Sequence, residues 1–271
     1  MLQPEQRAAF GVNAVLLVTA STLLQCLALF GVLPIIDGTV GHAIFASVEM
    51  LLIVLLVVNG WRIRRWSIVS AQTALVRSTA TLCAVSLSIC ACGDLVNRNY
   101  FELQYSYDRV VRHSYLADSV WFFLPGYALL IAAVWRIAGR TLSTRFMLLT
   151  ALIAASLGLL AFIDMRNPAT GLYVTAMTGT YSIPITVTAC SAIWLIRSLG
   201  WNRAYWPALG LILATLADAL IGNFWLYRDG YYPAVSHLNW IIYFASQAMV
   251  QRLPLQLTVQ ASRLTQPVAG I

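Results

Sequence analysis

Two polar strings with the same internal spacing carry the residue types in this chain that are best suited to chemistry. The first consists of Asp94, Asn99, Tyr100, Phe101, Tyr107 and His113, and the second of Asp218, Asn223, Phe224, Trp225, Tyr231 and His237. Ionisable groups inside a bilayer are costly and mark functional sites by default. The repeated spacing therefore predicts an internal duplication that places two Asp/Asn/His sets at one end of a membrane protein.

The chemistry that these residues favour is proton transfer by a carboxyl group. A low-dielectric environment favours the protonated form of a carboxyl group, and a protonated carboxyl group held against a substrate is a general acid. Asp94 and Asp218 end helices that are predicted to run toward the outer side, where the helix dipole disfavours an anion. Each therefore needs a partner or a proton. With two further acids of the outer half, the candidate catalytic set is Asp218, Asp94, Glu49 and Asp118.

The candidate substrate-binding residues are aromatic or polar and share the same half of the predicted helices. They are His113, His237, Asn99, Asn223, Tyr100, Phe224, Trp225, Trp121, Tyr243 and Gln247. An interfacial aromatic belt explains many such aromatics, whereas an apolar pocket with a few convergent polar groups explains their clustering around acids. Zincin, nucleophile-elbow, glycine-loop and dinucleotide motifs are absent from the sequence. We expect no metal and no cofactor.

The elements that must position these residues are transmembrane helices. The chain has 271 residues, is 60% hydrophobic and only 10% charged, whereas soluble domains average about 25% charged residues. Apolar runs of about 20 residues cross a bilayer as helices, and we identify eight. They are roughly Ala9–Leu33, His42–Trp61, Val76–Asp94, Leu116–Arg136, Phe146–Asp164, Leu172–Ile196, Trp206–Trp225 and Val235–Val250.

The predicted fold is an all-α polytopic membrane protein with a parallel repeat of four plus four helices. Residues 1–271 form one integral membrane domain, with halves of about 1–137 and 138–255 and a short C-terminal tail, 256–271. Most arginines fall on one side of the predicted helices, so the positive-inside rule predicts cytoplasmic termini. We also expect the protein to lie in a bacterial inner membrane. The net charge of +7 is assigned to these membrane-edge arginines, and we expect a lipid or other apolar small molecule, not nucleic acid, as the partner.

Several segments resemble one known family. The segments Tyr173-Val-Thr-Ala-Met177, Ala217-Asp218-Ala-Leu-Ile-Gly-Asn223-Phe224 and Tyr243-Phe-Ala-Ser-Gln247 are similar, in this order, to the last third of the YhhN-type lysoplasmalogenases. Gly93-Asp94 resembles that family's Gly-Asp at the end of its third helix. The family's early Lys-Pro has no counterpart, because this chain contains no lysine.

The resemblance implies an eight-helix enzyme that hydrolyses the vinyl ether of a lysophospholipid. It implies that Asp218 protonates the alkene carbon as general acid and that Asp94 orients or deprotonates the attacking water. His113 and His237, with nearby arginines, would meet the phosphate. The reaction requires no metal.

Two alternatives remain open. An acid-initiated isoprenoid (terpene) cyclase also protonates a carbon–carbon double bond, and it uses aromatic faces to stabilise cations. The chain also resembles the eight-helix sensory modules of bacterial cyclic-dinucleotide signalling proteins, through Gly93-Asp94, Leu116-Ala-Asp118 and Leu216-Ala-Asp218. That second resemblance implies a ligand-binding sensor that catalyses no reaction.

Overall fold

The computed structural model describes residues 4–33, 39–71, 73–98, 116–167, 169–226 and 233–265. Of these residues 92% are helical, and none of them lies in a strand. The helices are α1 (Pro4–Leu29), α2 (Val40–Ala71), α3 (Ala74–Arg98), α4 (Leu116–Ala138), α5 (Thr144–Met165), α6 (Leu172–Leu199), α7 (Trp201–Ile221), a π-helical turn (Gly222–Leu226), α8 (Pro233–Val250) and α9 (Arg252–Thr265). The predicted all-α class is confirmed.

Seven of these helices, α1 to α7, are long and apolar enough to cross a membrane. The structure therefore supports a multi-pass membrane protein. The eighth predicted segment does form a helix, α8, of 18 residues. At about 1.5 Å per residue, a helix of this length falls slightly short of a hydrocarbon core about 30 Å thick. The count of eight spans stays a prediction.

Helix contacts run in a closed circuit that holds the core. The circuit passes from α1 through α2, α3, α4, α6, α7 and α8 back to α1, and α5 packs on the outside against α6. α3 and α4 approach each other closely, since a Cβ atom on Gly126 would lie only 2.5 Å from the Cys90 sulfur. The Ser86 hydroxyl donates to the Gly126 carbonyl across this contact, at 2.7 Å.

The predicted repeat matches some helix contacts and misses others. The pairs α1–α2, α2–α3 and α3–α4 have counterparts in α5–α6, α6–α7 and α7–α8. However, α1 closes the circuit against α8, while its counterpart α5 packs mainly on α6. The duplication of four plus four helices accordingly stays a prediction.

One end of the bundle, here called the arginine-rich end, is held by stacked guanidinium groups. α2 continues to Ala71, ten residues beyond the predicted end at Trp61. This extension is stabilised because the Arg62 and Arg64 guanidinium groups lie 6.0 Å and 5.1 Å from the rings of Phe10 and Trp61. Cation–π contacts of this kind contribute about 0.5–1 kcal/mol at exposed sites.

The C-terminal segment is more ordered than the predicted tail. α9 covers Arg252–Thr265, so the predicted tail at 256–271 begins inside a helix, and residues 266–271 lie outside the described residues. Leu253, Leu255 and Leu257 of α9 are buried, against a bundle whose α2, α3, α7 and α8 contact this helix. No long apolar run marks this helix in the sequence, because only part of its surface is apolar.

Candidate functional site

Three of the four predicted catalytic acids are buried together at the opposite end, here called the acidic end. Glu49 on α2 is 1% exposed, Asp94 on α3 is 2% exposed, and Asp218 on α7 is 7% exposed. Asp94 interacts electrostatically with both other carboxyl groups. The structure therefore brings Glu49, Asp94 and Asp218 into one cluster, although their positions in the sequence are far apart.

Asp94 lies near the end of α3 and receives a hydrogen bond from the other half of the chain. The Tyr243 hydroxyl of α8 donates to Asp94 Oδ2 at 2.9 Å. The preceding residue, Gly93, leaves room for the Phe123 ring beside α3, because a Cβ atom on Gly93 would lie only 2.8 Å from that ring. Phe123 in turn meets Tyr243 edge to face, with ring centroids 6.2 Å apart.

Asp218 lies one turn before the point where α7 becomes π-helical. The Tyr181 hydroxyl of α6 donates to its Oδ2 at 3.0 Å, and Tyr127 of α4 also interacts with it electrostatically. The next turn, Gly222–Leu226, is the π-helical segment, and such segments are frequent at functional sites. Two predicted binding residues, Asn223 and Phe224, lie there and are partly buried, and the backbone of Trp225 belongs to the same turn.

Five aromatic rings surround the two aspartates and are called here the aromatic cluster. Its members are Phe123, Tyr127, Tyr181, Trp240 and Tyr243, each at most 9% exposed. Neighbouring ring centroids within the cluster lie between 5.7 and 6.4 Å apart. Because ring faces attract cations, the cluster is suited to stabilise positive charge that develops beside the carboxyl groups.

Arg98 joins the cluster of acids to the aromatic cluster. Its guanidinium group lies 2.5 Å from Glu49 Oε2 and 4.0 Å from the centroid of the Trp240 ring. It also interacts electrostatically with Asp94. A buried carboxylate needs such a partner, because the cost of removing a lone charge from water is several kcal/mol.

A hydrogen-bonded chain runs from Glu49 to a predicted binding residue. The Gln25 amide of α1 donates to Glu49 Oε1, and the Gln25 carbonyl oxygen lies 2.7 Å from His237 Nδ1. Because that oxygen can only accept, the network assigns a proton to His237 Nδ1. His237 is half-buried and meets the Phe45 ring edge to face.

The fourth predicted acid, Asp118, has a different environment in the first turn of α4. It is half-buried and accepts a hydrogen bond from the Tyr173 hydroxyl at 2.7 Å. Trp121, which is 65% exposed, donates its indole N–H to the same hydroxyl at 3.1 Å. Asp118 and Trp121 therefore share Tyr173 as a partner, a contact that the sequence did not predict.

The remaining predicted residues divide into two groups. Gln247 is buried on α8, one turn after Tyr243. Asn99, Tyr100 and His113, together with the other members of the strings at Phe101, Tyr107 and Tyr231, lie outside the described residues. The assignment of catalytic and binding roles to the predicted set stays a prediction.

Several residues of the site were missed by the sequence reasoning or assigned no role in the site. Gln25 and Tyr181 were not selected, although a glutamine within an apolar run is itself a signal of an internal hydrogen bond. Arg98 and Tyr127 were not among the predicted site residues either. A polar group in the middle of a predicted span would have been the signal for Gln25 and Tyr181.

Comparisons of the chain with protein-family models, curated proteins and solved structures gave no match. Among the described residues, no three His, Cys, Asp or Glu side chains are arranged to hold a metal ion. The expectation of a metal-free site stays a prediction.

Proposed function

We propose that this protein is a membrane-embedded enzyme in which Asp218 acts as a general acid and protonates a carbon–carbon double bond. One observation carries the proposal. Arg98 interacts with Glu49 and Asp94. Among the described residues, the neighbours of Asp218 are instead two neutral hydroxyls: that of Tyr181, which donates a hydrogen bond to it, and that of Tyr127. A buried carboxyl group without a counter-charge avoids the cost of burying an anion by keeping its proton.

Vinyl-ether hydrolysis of a lysophospholipid is the reaction that we assign to this acid. Asp218 transfers its proton to the alkene carbon and leaves an oxocarbenium ion. Water then adds to that ion, and the hemiacetal that forms collapses to an aldehyde and a glycerophospho-alcohol. A proton from the water returns to Asp218, either directly or after Asp94 has accepted it and passed it on, so both carboxyl groups regain their starting states.

The other residues of the site have separate parts in this reaction. We assign to Asp94 the part of orienting or deprotonating the attacking water, because the Tyr243 hydroxyl holds its carboxyl group at 2.9 Å and Arg98 interacts with it. The aromatic cluster stabilises the oxocarbenium ion through its ring faces. Glu49 holds Arg98 in place through their ion pair.

The polar head of the substrate would lie at the acidic end. Arg98 Nε and Trp240 Nε1 are buried donors without a hydrogen-bond partner among the described residues. Unpaired buried donors are costly, and a phosphate or hydroxyl oxygen of a bound substrate would satisfy both. His237 lies in the same hydrogen-bonded network, and we assign the head group to Arg98, Trp240 and His237, with His113 as a further candidate from sequence.

An isoprenoid cyclase is the second candidate, and the aromatic cluster favours it. Cyclisation begins with the same protonation and then moves positive charge along an apolar chain. Five buried rings beside two aspartates would stabilise such a series of cations. The two candidates diverge after the first step, because only the hydrolase must admit water to the cation.

We further propose that the protein lies in a bacterial inner membrane with both termini in the cytoplasm. The support is that basic and acidic side chains are concentrated at opposite ends of the bundle. Arg7, Arg62, Arg136, Arg203 and Arg252 belong to the arginine-rich end, whereas the three buried carboxyl groups lie at the other. The positive-inside rule assigns the arginine-rich end to the cytoplasm, so the candidate active site faces the outer half of the membrane.

The test is an assay of the purified protein against matched lipids. A lysophospholipid with a vinyl-ether chain should release a long-chain aldehyde, and the matched alkyl-ether lipid should release none. Cyclic products from an isoprenoid substrate, without aldehyde release, would replace the hydrolase by the cyclase. Ligand binding without any product from either substrate would overturn the enzymatic proposal in favour of a sensor.

A further inference from the structure

A second polar site lies at the arginine-rich end, away from the candidate active site. Residues from three helices line a cavity of about 140 Å³: Arg7, Arg203, Gln256, Val259 and Gln260. About 10–15 Å³ of such volume suffices for one water molecule, so this cavity admits a polar group considerably larger than water. Its lining has cationic and amide donors and no carboxyl group.

The lining residues converge from distant parts of the sequence. Arg7 lies near the start of α1 and Arg203 in the first turn of α7. Gln256 and Gln260 are four residues apart on α9 and therefore share one face of that helix. The other side of α9 is fixed against the bundle, where Leu253 and Leu257 are 1% and 4% exposed. The two amide groups are thus presented from a firmly packed element.

The described lining of this cavity is positively charged and contains no acidic side chain. Neither Arg7 nor Arg203 has a carboxylate partner among the described residues, and the acid nearest in sequence, Glu5, is exposed and absent from the lining. A cation in the first turn of a helix is disfavoured by the helix dipole, as for Arg203. The start of α7 also lacks a side-chain cap, because its N-cap is Gly200. An anion would relieve each of these costs.

We propose that the cavity formed by Arg7, Arg203, Gln256, Val259 and Gln260 binds the phosphate group of an anionic ligand. Guanidinium groups pair with phosphate oxygens through paired N–H donors, and the two glutamine amides supply further donors. The phosphate belongs either to a phospholipid head group at the membrane surface or to a soluble phosphate compound. The proposal does not depend on the reaction at the acidic end.

The experiment measures thermal melting of the full chain in a neutral detergent. Phosphatidylglycerol, phosphatidylcholine and inorganic phosphate are titrated separately, and native mass spectrometry records lipid that remains bound. We expect phosphatidylglycerol to raise the melting temperature more than phosphatidylcholine. A shift that inorganic phosphate reproduces at the same site would identify a soluble phosphate compound as the ligand and still support the proposal.

Matched variants locate the effect. Arg7→Gln combined with Arg203→Gln should raise the half-saturating concentration about 30-fold, on the basis of two lost phosphate-pairing charges. Arg140→Gln combined with Arg145→Gln removes two exposed arginines of the α4–α5 connection and α5, and it should leave the titration unchanged. Gln256→Ala with Gln260→Ala keeps every charge and should weaken binding by a smaller factor.

Two outcomes would overturn the proposal. Equal losses in the two arginine pairs would show that only overall charge matters. No difference between phosphatidylglycerol and phosphatidylcholine, together with no response to inorganic phosphate, would show that the cavity holds no phosphate. Because all four arginines are exposed, the ligand-free melting temperatures serve as the folding control for both pairs.

Discussion

Asp94 and Asp218 occupy the same position in the two polar strings, yet their surroundings differ. Both are buried, and each accepts a hydrogen bond from a tyrosine hydroxyl, at 2.9 Å and 3.0 Å. Asp94 also interacts with the Arg98 guanidinium group. Asp218 has a second hydroxyl, that of Tyr127, in place of an arginine.

Carboxyl groups at matching positions of the two strings therefore have different electrostatic surroundings. In the proposed reaction, the guanidinium group beside Asp94 accompanies a base or a group that orients water. The neighbours of Asp218 among the described residues are two neutral hydroxyls, and burial of an anion beside them is costly, which suits a proton donor. Arg98 is the charged neighbour that distinguishes the two aspartates among the described residues, and the proposed reaction assigns the acid role to the aspartate without it.

The largest expected effect is that of Asp218→Asn, which should lower turnover by about 10²–10⁴-fold. Asparagine keeps the shape of the side chain but cannot deliver a proton. Initial rates in detergent or liposomes measure the effect. The control is Asp164→Asn, at the exposed end of α5, which should be nearly silent. Full activity in correctly folded Asp218→Asn would remove this residue from the mechanism.

Substitution of Arg98, which interacts with Asp94 and Glu49, should mainly lower the stability of the folded protein. Arg98→Gln should lower the free energy of unfolding by about 3–5 kcal/mol, because it leaves the Glu49 carboxylate buried without its ion partner. Thermal melting of the single variants and of Arg98→Gln with Glu49→Gln gives the coupling between them. The double variant should recover much of the loss. Additive losses would show that the ion pair is not energetically coupled.

The Asp94→Asn substitution should have a smaller effect on turnover than Asp218→Asn, about 10²-fold, at the lower end of the range for proton transfer. Asparagine can still position a water molecule through its carbonyl oxygen, although it cannot remove a proton. Parallel rate measurements on the two variants test the ordering. Losses of the same size would mean that the two aspartates share one role, contrary to the difference in their neighbours.

The smallest expected effects on turnover are those of removing the tyrosine hydroxyls that donate to Asp218 and Asp94. Tyr181→Phe should slow turnover up to about tenfold, because one hydrogen bond to an uncharged group contributes about 0.5–1.5 kcal/mol and this one fixes the orientation of Asp218. Tyr243→Phe acts on Asp94 and should slow turnover less. Rates of both variants, with melting temperatures as the stability control, test this order. A larger loss in Tyr243→Phe would reverse the assignment of the two aspartates.

The sequence by itself determined the membrane class and the existence of the helices. Apolar runs such as those of α4 and α6 begin within a residue of their predicted starts, Leu116 and Leu172, because hydrophobic length is a local property of the chain. It also identified Glu49, Asp94 and Asp218 as unusual, since charged residues are rare in apolar runs.

Only the tertiary structure decided which partner each polar residue meets. Tyr243 and Asp94 are 149 residues apart, and His237 and Gln25 are 212 residues apart. Most of these helices are apolar around their circumference, so the sequence pattern carries little information about their rotation or their neighbours. Packing of the whole bundle sets both, and it is this packing that places Arg98 beside Glu49 and Asp94 and two tyrosine hydroxyls beside Asp218.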